Sequence, residues 1–178
     1  MNKKFDWDNF NQYGLNDYLK NELFEGIVAK HEFLILNEID EIDIAIDKKN
    51  TLLIAIHDVD KKIHSTEIVK DYKDVIQLKF WDVEEEIGNY KPISIKQAKE
   101  LKEFILKYKN PKENSMKNNS KFLIHCSAGM SRSAGIGMAI ECLIKFNGNK
   151  YEYSISKSDI KEHPRYEPNY TVYDKIIS

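Results

Sequence analysis

Residues 125–133, His-Cys-Ser-Ala-Gly-Met-Ser-Arg-Ser, combine the residue types that chemistry on a phosphate group requires. Cys126 is a potential nucleophile. Arg132 follows it after five intervening residues and carries a rigid fork of donors that suits a phosphate. The spacing of these two residues is a weak signal alone, but His125, Gly129 and the Ser-Arg-Ser ending make the complete string specific.

The elements expected around this string would turn it into a binding loop. An apolar run at 122–124 predicts a buried strand, and a helix is expected over 133–145. A loop between them can aim successive backbone N–H groups at one point, where the helix N-terminus adds partial positive charge. Such surroundings favour the thiolate form of a cysteine. The alternative interpretation of Cys126 is a purely structural one, in which a small buried cysteine ends the strand. The residues expected to form this phosphate cradle are Ser127, Ala128, Gly129, Met130, Ser131 and Arg132.

The string 125–133 matches the HCxxGxxRS signature of the cysteine-dependent protein tyrosine phosphatase superfamily, and its Ala-Gly-x-Ser-Arg-Ser portion most resembles the dual-specificity phosphatase branch. The resemblance implies that Cys126 forms a phosphocysteine intermediate while Arg132 grips equatorial oxygens of the phosphoryl group. It also implies that Ser133 steadies the departing thiolate and that His125 orients the loop through hydrogen bonds. A packed histidine at the strand end is the alternative for His125, and the two roles are compatible.

Hydrolysis of a phosphate ester also needs a group that protonates the leaving oxygen and later deprotonates water. The segment 78–83, Leu-Lys-Phe-Trp-Asp-Val, resembles the acid loop of dual-specificity phosphatases, which implies that Asp82 is the general acid. The competing candidates are Glu84, Glu85 and Glu86. A solvated acidic turn is the other explanation for these three glutamates. Asp82 lies 44 residues before Cys126, further than is usual in the family, and a polar loop over 110–120 can accommodate the extra length.

The two ends of the chain are less specific. A Pro-Asn pair at 168–169 precedes the apolar pattern of a last helix. Dual-specificity phosphatases carry such a pair, which implies that Asn169 supports the phosphate loop, and plain N-capping is the alternative. The resemblance extends from about residue 33 to the end of the chain. Residues 1–30 match nothing in the family, and 16–30 is a candidate helix within them. We expect residues 1–30 to pack on the core; the alternative is an aromatic-rich arm that acts as a lid or binds a partner.

The order of apolar segments predicts an α/β fold. Candidate strands lie at 33–36, 52–56, 75–80 and 121–124, and candidate helices at 37–46, 94–108 and 133–145. This order indicates a central, mostly parallel sheet of four to five strands flanked by helices on both faces, and the resemblance implies a protein tyrosine phosphatase-like fold. We place an N-terminal extension at 1–30 and a dual-specificity-type catalytic domain at 31–178.

Composition narrows the possible partners. The net charge of −2 argues against bulk binding of nucleic acid. The N-terminus lacks the apolar stretch of a signal peptide, and the longest apolar run, 52–56, is too short to span a membrane. Two cysteines without an export signal favour a reducing compartment, so we expect a cytoplasmic protein. The sequence has no CxxC pairs or histidine clusters, so no metal site and no cofactor are expected.

The resemblance implies a phosphatase for phosphotyrosine in phosphorylated proteins, with phosphoserine and phosphothreonine as further candidate substrates. A phosphoinositide or an RNA 5′-phosphate is less favoured, because the loop interior at 127–131 carries no lysine or arginine. The alternative from a different class is a non-catalytic module that binds phosphoproteins with the same cradle. The sequence leaves the oligomeric state open.

Overall fold

A computed structural model describes residues 23–31, 47–150, 152–153 and 166–178. Its strands are β1 (Ile27–His31), β2 (Thr51–His57), β3 (Asp74–Lys79) and β4 (Lys121–Cys126). Its helices are α1 (Thr66–Val69), α2 (Ile95–Lys107), α3 (Arg132–Lys145) and α4 (Tyr170–Ile177), with short 3-10 turns at Lys48–Asn50 and Lys117–Asn119. The strands form one sheet in the order β1-β4-β2-β3, and every pair in it is parallel. The expected α/β class and parallel sheet are therefore confirmed.

Strand β4 lies inside this sheet, between β1 and β2. Ile124 pairs with Ala29 on one side and with Ile54 on the other. All residues of β4 after Lys121 are buried. The apolar run at 122–124 predicts this position. A strand that is covered on both faces has no solvent-exposed side chains, so its sequence is apolar without alternation.

The two faces of the sheet are covered differently in the part of the chain that the structure describes. One face carries Ile54 and Ile124 into a large core that contains apolar residues of α2, α3 and α4. The opposite face carries Leu53 and Leu123 into a smaller cluster with Tyr72, which lies just beyond α1. The described helices thus lie mainly on one face, and only the short α1 region meets the other.

Helix α2 begins where the sequence predicts. The Ser94 hydroxyl accepts from the backbone N–H of Gln97, and the Gln97 side chain accepts from the Ser94 N–H, which together form a capping box. Gln97 also donates from Nε2 to the carbonyl of Lys79, at 2.7 Å. The start of α2 is thereby fixed to the end of β3, close to the segment that carries Asp82.

Helix α3 runs directly from the candidate phosphate loop into the core, and its residues are buried from Arg132 to Ile144. A Cβ atom at Gly135 would lie 2.5 Å from the backbone oxygen of Asn169, so glycine permits the close approach of the segment that begins α4. Among the described helices, none is long and apolar enough to cross a membrane.

The N-terminal boundary differs from the sequence-based expectation. Residues 23–26 form a turn and Ile27–His31 forms β1, so the helix expected over 16–30 is wrong for all of its described residues, 23–30. This strand also crosses the boundary placed between residues 30 and 31, so the sheet includes part of the segment assigned to the extension. The reason is tertiary, because Ile27, Val28 and Ala29 are buried and pair with β4. The elements expected at 33–36 and 37–46 lie outside the described residues.

Candidate active site

The candidate site lies at the carboxyl ends of three neighbouring strands. Asp58 follows β2, Asp82 lies just beyond β3, and the loop 126–131 follows β4. Parallel strands end at the same edge of a sheet, which is where open α/β sheets bind ligands. The sheet order places β4 beside β2 and β2 beside β3, so residues far apart in sequence meet at the loop.

The Cys126 sulfur contacts both the loop and the first turn of α3. Its Sγ accepts from the backbone N–H of Gly129 at 3.2 Å and lies 3.3 Å from the Ser133 hydroxyl. Gly129 has φ of 69°, in the left-handed region that glycine adopts without strain, and this conformation turns its N–H back to the sulfur. Cys126 and Ser133 are both buried. The structure therefore places Ser133 beside the sulfur, where the resemblance implies it should be.

The Arg132 guanidinium is buried and held from three sides. Nη1 donates to the carbonyl of Phe80 at 2.7 Å, and Nη2 donates to Asp58 Oδ1 at 2.7 Å and to Ser127 Oγ at 3.2 Å. Nε is buried and has no hydrogen-bond partner among the described residues. A buried donor without an acceptor costs free energy. An anionic or polar ligand that accepts a hydrogen bond from this Nε would remove that cost.

The outer side of the loop is docked on the start of α4. The carbonyl of Met130 accepts from the N–H of Glu167 at 3.2 Å, and that of Ser131 accepts from the N–H of Asn169 at 3.1 Å. These two bonds hold the end of the loop against the segment that precedes α4.

Asp82 is exposed at the rim and contacts the loop through one oxygen. Oδ1 accepts from the Ser131 hydroxyl at 2.7 Å and from Asn169 Nδ2 at 3.0 Å. Asn169 Oδ1 in turn accepts from the N–H of Val172, at 3.1 Å, as the N-cap of α4. The N-cap expectation is confirmed, and the same side chain also contacts Asp82, so the two alternatives for Asn169 are compatible.

The side chains of the three competing glutamates make no hydrogen bond to the loop 126–131 among the described residues. All three are exposed, and Glu86 pairs with Lys91 at 3.6 Å. The backbone carbonyl of Glu84 accepts from the Thr171 hydroxyl. An open cavity of about 440 Å³ is lined by Asp82, Ser131 and Asn169, and also by Glu84. Of the four acidic candidates, Asp82 is the one that the structure bonds to the phosphate loop.

Sequence reasoning missed Asp58, which bonds both to Arg132 and to the Ser127 hydroxyl. Ser127 Oγ donates to Asp58 Oδ2 at 3.1 Å, so both carboxylate oxygens are occupied. A signal was present, because Asp58 directly follows a buried strand, at the end where ligands bind in parallel sheets.

The sequence shows no local histidine cluster, but the fold assembles one. His57, His64 and His125 come together in space although the sequence separates them widely. His125 Nε2 lies 2.7 Å from His64 Nε2, so His125 is both a packed strand residue and part of a hydrogen-bonded contact.

No protein-family model, curated protein or solved structure matches the chain.

Proposed function

We propose that the protein is a cysteine-dependent phosphatase of the dual-specificity type, with a protein tyrosine phosphatase-like fold. Its substrate would be phosphotyrosine in phosphorylated proteins, with phosphoserine and phosphothreonine as further candidates. One observation carries the proposal. Cys126 Sγ accepts a hydrogen bond from the Gly129 N–H, and the same loop leads to a buried Arg132 whose Nε has no hydrogen-bond partner within the described part of the chain. Nucleophile and anion-binding donor are thus present in one short loop at a helix N-terminus.

In the first step, the phosphoryl group binds to the loop N–H groups and to the Arg132 guanidinium. The Cys126 thiolate attacks phosphorus, a P–S bond forms and the bond to the leaving oxygen breaks. Asp82 gives its proton to that oxygen. Fixed donors stabilise the charge on the equatorial oxygens without having to reorganise.

In the second step, the Asp82 carboxylate takes a proton from water while the water attacks the phosphocysteine. The P–S bond breaks and inorganic phosphate forms. The Ser133 hydroxyl lies 3.3 Å from Cys126 Sγ and donates a hydrogen bond to the departing thiolate. Asp82 ends this step protonated and ready for the next cycle.

The contacts of Asp82 suit it to this double role. Both of its hydrogen bonds use Oδ1, and Oδ2 makes none among the described residues. Ser131 and Asn169 can therefore hold the carboxyl group at the rim while Oδ2 exchanges a proton with substrate or water. Ser131 belongs to the phosphate loop, so acid and nucleophile are positioned by the same structure.

Turnover of para-nitrophenyl phosphate tests the proposal. We expect the wild-type chain to release para-nitrophenolate, Cys126→Ser to lose turnover but keep phosphate binding, and Arg132→Lys to lose most of its kcat and bind phosphate more weakly. Cys142→Ser is the matched control at the other, helix-buried cysteine and should retain turnover. A wild-type chain that binds phosphopeptides without hydrolysing any phosphate ester would instead be a non-catalytic binding module.

The substrate class needs a separate comparison. We expect phosphotyrosine peptides to be hydrolysed faster than phosphoinositides or RNA 5′-phosphates, because the loop interior lacks basic side chains for additional phosphates. A preference for either non-protein ester would keep the mechanism and overturn the substrate assignment.

A further inference from the structure

Three buried imidazoles converge beside the phosphate loop. His57 ends β2, His64 lies in the following loop, and His125 lies in β4. Their exposed fractions are 2%, 7% and 0%. One ring nitrogen from each lies within 4.8 Å of the others. The mechanism proposed above uses none of these three rings to bind a ligand.

Gln77 fixes the proton position on His57. Gln77 Oε1 accepts from the backbone N–H of His64 at 2.8 Å, while Gln77 Nε2 donates to the carbonyl of His64 at 3.1 Å. The oxygen that faces His57 Nε2 at 3.0 Å can only accept. His57 Nε2 therefore carries a proton, and neutral His57 keeps its lone pair on Nδ1. Metal-bound histidines commonly show this arrangement, with the other N–H donated to a carbonyl oxygen.

His64 points inward from a loop that is otherwise largely exposed. Residues 59–63 are exposed, among them the large apolar Val59 and Ile63, whereas the imidazole of His64 is buried. Its Nε2 lies 2.7 Å from His125 Nε2, so one of these nitrogens donates and the other accepts. The loop thus directs the His64 ring towards His125 and leaves its apolar neighbours Val59 and Ile63 in solvent.

We propose that His57, His64 and His125 form a binding site for a divalent cation of the zinc class. Imidazole nitrogens suit zinc, and three histidines with one open position form a common tetrahedral set. Zinc–nitrogen bonds of about 2.0–2.1 Å place neighbouring nitrogens roughly 3.3 Å apart. The His64–His125 pair would thus have to open by about 0.6 Å from its hydrogen-bonded distance of 2.7 Å. Gln77 would be the outer partner that orients His57.

The test measures metal binding directly and does not depend on phosphatase activity. Chelator-treated full-length protein is titrated with Zn²⁺, and separately with Co²⁺, whose visible absorption reports tetrahedral coordination. We expect one equivalent to bind and the melting temperature to rise by roughly 5–10 °C when free Zn²⁺ is about 100 times Kd. The same titration in Cys126→Ser shows whether the nearby thiol contributes, and binding there should persist.

Variants then assign the ligands. His64→Gln keeps a side chain able to hydrogen-bond with His125 and should weaken binding by more than about 100-fold, while Gln77→Leu should weaken it by about 10–100-fold as an outer-partner change. A wild-type chain whose melting temperature and Co²⁺ spectrum do not respond would overturn the proposal, whatever the variants do. Binding that survives His64→Gln but disappears in Cys126→Ser would also overturn it, because the metal would then be at the thiolate.

Discussion

Asp58 and Asp82 both lie beyond the carboxyl ends of parallel strands, but their carboxyl groups contact the candidate phosphate loop differently. Each follows a parallel strand, but Asp58 bonds to Arg132 and Ser127 through both oxygens, whereas Asp82 uses one oxygen on Ser131 and Asn169. A carboxylate that bonds through both oxygens to Arg132 and Ser127 is held in one orientation and is suited to positioning these two side chains. A carboxylate with a free oxygen at an exposed rim can exchange a proton. In the proposed mechanism, these contacts assign a positioning role to Asp58 and the acid–base role to Asp82.

The largest effect should follow Asp82→Asn. We expect a loss of about 10²–10⁴-fold in kcat towards phosphotyrosine, because the leaving oxygen no longer receives a proton. The loss should be smaller on an activated aryl phosphate, whose phenolate leaves unaided, and the basic limb of the pH–rate profile should flatten. Glu84→Gln is the control and should resemble wild type. If the glutamate variant showed this pattern and Asp82→Asn did not, the acid would lie further along the loop.

Asp58→Asn should have a smaller effect of a different kind. The change removes one charge-assisted contact to Arg132, and we expect kcat/KM to fall about 10–100-fold. The fall should be the same for phosphotyrosine and for the activated aryl phosphate, since positioning Arg132 affects every phosphoryl group equally. Weaker binding of inorganic phosphate should accompany it. A loss that depends on the leaving group would make Asp58 an acid and reverse the comparison.

Asn169 sharpens the comparison because it contacts Asp82 and not Asp58. Asn169→Ser keeps an N-cap oxygen for α4 but removes the Nδ2 donor to Asp82. We expect a loss of about 2–10-fold in kcat towards phosphotyrosine, the value of one neutral hydrogen bond, with little change in melting temperature. Asn169→Ala should show the same kinetic loss and also a lower melting temperature. Equal activity of Asn169→Ser and wild type would mean that Asp82 needs no such support.

A third aspartate, Asp74 at the start of β3, should affect stability and leave catalysis unchanged. Burial acts to raise the pKa of its carboxyl, but hydrogen bonds from Lys107 and Tyr108 outweigh burial and hold that pKa below its ordinary value. The resulting stabilisation is present above the ordinary aspartate pKa and is lost as pH falls through the lowered one. Asp74→Asn should therefore unfold at lower urea concentration near pH 7, and the difference should shrink towards pH 2. A difference that is independent of pH would contradict this origin.

The parts that sequence reasoning could predict are those in which the determining residues are contiguous. The loop between Cys126 and Arg132 is one short string, and the Ser94–Gln97 capping box spans four residues. Asp58 and His64 belong to the site only because β2 lies beside β4, and no local pattern specifies that neighbour. The local pattern of residues 16–30 does not reveal β1, because pairing with β4 fixes Ile27–His31 as a strand.

Trapping the phosphocysteine tests the central claim most directly. Asp82→Asn should accept a phosphoryl group from an activated aryl phosphate but hydrolyse the intermediate slowly, because it lacks the base that activates water. After rapid mixing and denaturing quench, peptide mass spectrometry should find one phosphoryl group on Cys126, and none when Cys126→Ser is added to the same variant. Release of the phenolate without label on Cys126, or label on another residue, would contradict the account.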